Sequence, residues 1–171
     1  MTSANDRWAV RCGALALVAV GIATSVDGCA SSPASPASPA AATPTGGAAA
    51  AYLAIAEEFN KQLDHEFDGL ADAERGDLTS ARTDLRQIAA TERAFDQRLA
   101  ALSLPSGADA TARALITANE ARAALTTQAA ASGTLDQLDG YKTRLTAANA
   151  QVERPVKVIR AELGLPAPDT S

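Results

Sequence analysis

Leu78 to Leu102 reads LTSARTDLRQIAATERAFDQRLAAL. Its apolar residues fall at Leu78, Ala81, Leu85, Ile88, Phe95, Leu99 and Leu102, in steps of three, four and seven. At 3.6 residues per turn that spacing lines one face of a helix. Arginine, aspartate, glutamine and threonine fill the other faces. Asp77 stands in front as an N-cap, and Arg75-Gly76 before it reads as the last turn and stop of a preceding helix.

The same pattern extends outward from this stretch. Upstream, Tyr52, Ile55, Phe59, Leu63, Phe67 and Leu70 make a second apolar seam. Downstream, Ser106 and Asp109 have capping-box spacing and open a helix with few large residues: Ala112, Leu115, Ile116, Ala123 and Leu125. Gly133 closes it. Thr134 and Gln137, again at capping-box spacing, open a last helix that carries Leu138, Leu145, Val152, Val156, Ile159 and Leu163 before Gly164-Leu165-Pro166 ends it. No period-two alternation marks a strand. The expected fold is all-α: four helices, at about 48–73, 77–103, 107–131 and 134–163. Short connections make neighbours antiparallel, giving an up-down-up-down four-helix bundle over residues 48–171. Pro155 predicts a kink in the last helix, and Gly140 weakens its start.

Residues 30–47 have a different composition. Ser32 to Ala40 repeats Ser-Pro-Ala, and Thr43-Pro44-Thr45-Gly46-Gly47 follows. Proline every third residue blocks helix and sheet and favours polyproline II, so this reads as a disordered Pro/Ser/Ala tether. No basic or aromatic anchor flanks the repeat, which favours a spacer over a ligand for a recognition domain.

Ahead of the tether, Arg7 and Arg11 form a short positive segment, and Gly13 to Val26 is an uncharged apolar run. As a helix the run is roughly 21 Å long, against roughly 30 Å of bilayer hydrocarbon. Small residues and Val26-Asp27-Gly28-Cys29 follow. This is the order of a secretory signal peptide. With the cysteine placed directly after Gly28, it resembles a bacterial lipoprotein precursor. Val26, Gly28 and Cys29 match that family's cleavage motif, and Asp27 departs from it. The resemblance covers about the first thirty residues. It implies that residues 1–28 are removed and that residues 29–47 form a lipid-anchored linker. Cys29 becomes the mature N-terminus, carrying a thioether-linked diacylglycerol and an amide-linked acyl chain. Two or three chains anchor stably where one is marginal. The implied location is the extracytoplasmic face of the cell membrane. An uncleaved anchor and ordinary secretory cleavage are the alternatives.

The chemistry available is narrow. The chain has two cysteines, Cys12 in the removable segment and Cys29, so the helical part has neither a disulfide nor a thiol nucleophile. Its single histidine, His65, follows the seam residue Leu63 by two and points away from the core. No Glu-x-x-His occurs, as a di-iron bundle would need, and no Gly-x-Ser-x-Gly. Asp64, Asp68 and Asp72 share one helix face, which reads as solvated rather than as a metal site. No cofactor, metal or catalytic residue is expected, and the chain reads as a non-enzyme. A net charge of -5 makes nucleic acid a poor partner. Arg154, Lys157 and Arg160 form a basic patch suited to a helix C-terminus.

The remaining leads are polar residues on apolar seams. The heptad through Leu85, Ile88, Phe95 and Leu99 turns Glu92 inward, near Phe59 and Phe95. Asn119 lies between Leu115 and Ala123, Asn149 lies beside Ala148 and Val152, and Glu66 borders the first seam. On this reading Glu92→Leu is neutral or stabilising by roughly 1 kcal/mol or more. The expected function is a membrane-anchored lipoprotein presenting a helical interaction module to an envelope protein, a peptide or an apolar ligand. The thin third helix motivates this, because few large side chains give either close packing or a groove. The alternative is a small-ligand or metal-binding envelope protein that uses Glu92, Asn119 and Asn149.

Overall fold

The computed structural model describes residues 44–74 and 76–168. The expected signal segment, Cys29 and the expected tether up to residue 43 lie outside the described residues. Five helices follow in order: α1 (Pro44–Ala73), α2 (Leu78–Ala100), α3 (Ser106–Ala129), α4 (Leu135–Asp139) and α5 (Lys142–Glu162). Among the described residues there is no strand, and no helix is long and apolar enough to cross a membrane.

The bundle alternates direction, as its two core clusters show. One gathers Tyr52 and Phe59 from the start of α1, Phe95 and Leu99 from the end of α2, Ala112 from the start of α3 and Ile159 from the end of α5. The other gathers the opposite ends: Leu70, Ala81, Leu85, Ala129 and Leu145, with Leu138 of α4. Only an up-down-up-down path brings these ends together. The close helix pairs are α1 with α2, α2 with α3, and α3 with α5. Small buried residues of α3, such as Ala112 and Ala123, let it approach both neighbours. Phe59 and Phe95 meet edge to face, 5.8 Å between centroids.

The local signals behave unevenly. Asp77 caps α2, accepting from the Thr79 and Ser80 amides at 2.9 and 3.0 Å. Thr134 accepts from the Gln137 amide at 3.1 Å, while the Gln137 side chain returns to the Gly133 amide at 2.8 Å. The capping box expected from Ser106 and Asp109 does not form. Pro105 is the N-cap, and the Asp109 carboxylate pairs instead with Arg113 one turn on. At the far end Gly164 (φ 69°) adopts the left-handed conformation. Leu165 N–H then donates to Arg160 C=O at 2.8 Å and Gly164 N–H to Ala161 C=O at 3.0 Å, the paired bonds of a Schellman stop.

Two boundaries differ from expectation. Helix α1 begins at Pro44 rather than at 48, so the last tether residues are helical. Proline suits a first helical position, where its missing N–H would have no partner. The single helix expected over 134–163 is two. At Gly140, a poor helix former, and Tyr141 the helical pattern is interrupted, with Tyr141 N–H donating to Leu138 C=O at 3.0 Å, and Leu138 lies in the core at 1 % exposure. Beyond that break, α5 runs on through Pro155 to Glu162.

Candidate functional site

The two apolar clusters are separated by a polar layer contributed by all four long helices. From α2 come Thr91, Glu92 and Asp96; from α3, Asn119, Arg122 and Thr126; from α5, Asn149; and from α1, Glu66. All of them are buried. Glu92, Asn119, Arg122, Thr126 and Asn149 continue the apolar seams of their helices, so heptad spacing turns them inward whatever their polarity, while Thr91, Asp96 and Glu66 flank those seams.

Arg122 is the hub. Its Nε lies 3.0 Å from Glu92 Oε1, with side chains 7 % and 1 % exposed. The N–H is not aligned on that oxygen, so this contact is an ion pair rather than a hydrogen bond. Arg122 Nη2 donates to Asn119 Oδ1 at 3.0 Å, and Nη1 donates to Asn149 Oδ1 at 3.3 Å. Asn119 Nδ2 then donates to Asp96 Oδ1 at 2.9 Å. A second chain lies on the α1 side, where Thr91 Oγ1 donates to Glu66 Oε1 at 2.7 Å and Gln62 Nε2 donates to both.

The layer is short of cation. Three buried carboxylates face one buried guanidinium. One oxygen of each acid, Glu66 Oε2, Glu92 Oε2 and Asp96 Oδ2, accepts no hydrogen bond from the protein. Burial pushes the Glu92 carboxyl up, and Arg122 only partly offsets it. Burial likewise raises Asp96 to about 7, opposed by the Asn119 hydrogen bond. The cavity beside Glu92, also lined by Arg122, Thr126 and Asn149, is about 10 Å³. That is the space of a single water and leaves no room for an organic ligand. No group of acids, histidines or cysteines suited to a metal occurs among the described residues.

The structure thus brings together all three expected inward residues, Glu92, Asn119 and Asn149, and joins them through Arg122, which sequence reasoning missed. The signal was available. Leu115, Asn119, Arg122 and Thr126 step by four, three and four, so Arg122 lies on the α3 seam. Asp96 beside Phe95 was missed because seam and flank differ by one residue there. Arg122 also reverses the expectation for Glu92→Leu, which would strand a buried cation and is therefore destabilising. The predicted basic patch is corrected as well. Arg160 is 2 % exposed and turns inward, where its Nε donates to Pro166 C=O at 2.7 Å and ties down the C-terminal tail.

On the outer surface α3 and α5 enclose an open groove of about 980 Å³. Ala110, Ala114, Thr117 and Ala121 line its α3 wall, and Ala147, Gln151, Arg154 and Val158 its α5 wall. Each set steps by four, three and four, the spacing at which one helix meets another. Val158, 43 % exposed, is the only large hydrophobic exposed among the described residues. Arg154 is the only charged residue lining the groove.

Comparison with protein-family models, with curated proteins and with solved structures finds no match to this chain.

Proposed function

We propose that this chain is a membrane-tethered, non-enzymatic binding module that offers the α3–α5 groove to an amphipathic helix of another envelope protein. The groove carries this reading. It is concave, floored by methyl groups, and has heptad-spaced walls. A ridge of small and medium apolar side chains packs into such a surface as a third helix does in a bundle. A second copy is a poorer fit, since its own groove would present a concavity to a concavity. Arg154 asks for a carboxylate at the matching level of the partner. The lipobox-like Val26–Cys29 segment supports membrane tethering on the outer face.

Site-specific photocrosslinking in the native membrane tests the reading. A crosslinker at Ala118, inside the groove, should join one partner through an acidic amphipathic helix, while one at the exposed Ala90 of α2 should not. Ala114→Arg combined with Ala121→Arg should abolish the adduct and leave the circular dichroism melt unchanged. An adduct that survives the arginines, or forms equally from Ala90, places binding elsewhere. A crosslink to a second copy would identify a homodimer instead.

A further inference from the structure

The polar layer has a use that does not depend on the groove. Glu92 and Asp96 are one turn apart on α2, both buried, and each has an oxygen that no protein group satisfies. Their surroundings are unequal in charge. On Asp96 act Glu92 of its own helix and, from α3, the exposed Glu120 and buried Arg122. On Glu92 act Arg122, the exposed Arg93 and, from α1, Glu66. Helix α5 brings the neutral Asn149, which spends its oxygen on Arg122. One guanidinium cannot neutralise the buried acids around it, and a buried, unpaired carboxylate is costly enough to take up a proton instead. Asn119 donates to one oxygen of Asp96, which leaves the other free to carry that proton.

We infer that the Glu92–Asp96 pair is a proton-binding switch that joins the bundle's halves: protonated, it lets all four long helices close on the layer, and ionised, it loosens them.

The direction of the effect follows from linkage. Asp96 ionises at about 7 when folded, against an ordinary 3.8. Between those values the folded chain holds a proton that the unfolded chain has lost. Stability therefore falls as pH rises through this window and levels off above it. This is opposite to the behaviour of a carboxylate stabilised by a salt bridge. A domain held outside a cell would be firmest in a mildly acidic medium.

Urea unfolding of the full chain at a series of values between about pH 5 and pH 7.5 tests this, with an expected fall in the folding constant approaching tenfold per pH unit. Asp96→Asn, a mimic of the protonated acid that keeps the bond from Asn119, should flatten the profile and raise stability at the upper end. Glu92→Gln is the companion variant, since the proton belongs to the pair. Infrared difference spectra of the parent at neutral pH should show the carbonyl stretch of a protonated carboxylic acid, lost in the variant that removes the slope. A profile that is flat or rises with pH, or a slope that survives both variants, overturns the inference.

Discussion

Replacing Arg122 by Met keeps most of its volume and removes its charge. Four contacts depend on that guanidinium: the ion pair with Glu92, the bonds to Asn119 and Asn149, and the field on Asp96. Glu92 is left buried with only the exposed Arg93 to oppose its charge and limits the damage by taking up a proton. From an ordinary pKa of 4.5 that costs about 3.4 kcal/mol at pH 7. To the extent that Glu92 already holds a proton in the parent, the added cost is smaller. The two asparagine oxygens lose donors worth about 1 kcal/mol each. The expected loss is about 3–5 kcal/mol at pH 7, which matches the usual cost of breaking one side of a buried pair. Near pH 5 protonation costs only about 0.7 kcal/mol, so the penalty should shrink. The double variant Glu92→Leu with Arg122→Met removes both charges and should recover most of the loss. Urea titrations followed by circular dichroism at both pH values measure all three quantities. A single-variant penalty below about 1 kcal/mol at pH 7, or a double variant no better than the single, would refute the ion pair as the centre of the layer.

Tyr52 is fully buried and its hydroxyl has no hydrogen-bond partner, so Tyr52→Phe should be neutral or stabilising by about 1 kcal/mol. Burial holds its phenol at about 12, so absorbance titration should show late ionisation, with stability falling as pH rises from 10 towards that value. Asp77 behaves oppositely. Its bonds from Ser80 lower its pKa, so its contribution is present above 3.8 and is lost in stronger acid. Asp77→Ala should lower the melting temperature at neutral pH and converge on the parent in acid. Cys29→Ala should shift the protein from the membrane fraction to unprocessed precursor, and unchanged fractionation and gel migration would rule out lipidation there. A chain beginning at Pro44 should unfold in one cooperative step, since the core residues from Ala48 onward lie within it.

What the sequence determined by itself was much of what depends on spacing along one helix. Heptad steps placed Leu85, Ile88, Glu92, Asn119 and Asn149 inward, and Asp77 and Thr134 announced helix starts, because a side chain's direction and a cap's reach are set within two turns. Tertiary structure decided what those inward groups meet. Asp109 had two local partners available, and the choice of Arg113 over a cap was not written in its spacing. Arg160 looked like surface charge until the Schellman stop folded Pro166 back onto it. Arg122 became the hub only because α2, α3 and α5 meet at one level, where its guanidinium reaches groups 27 to 30 residues away. The charge excess that makes the layer proton-sensitive is a sum over α1, α2 and α3, and such a sum has no local signature because each helix contributes only one or a few of its members.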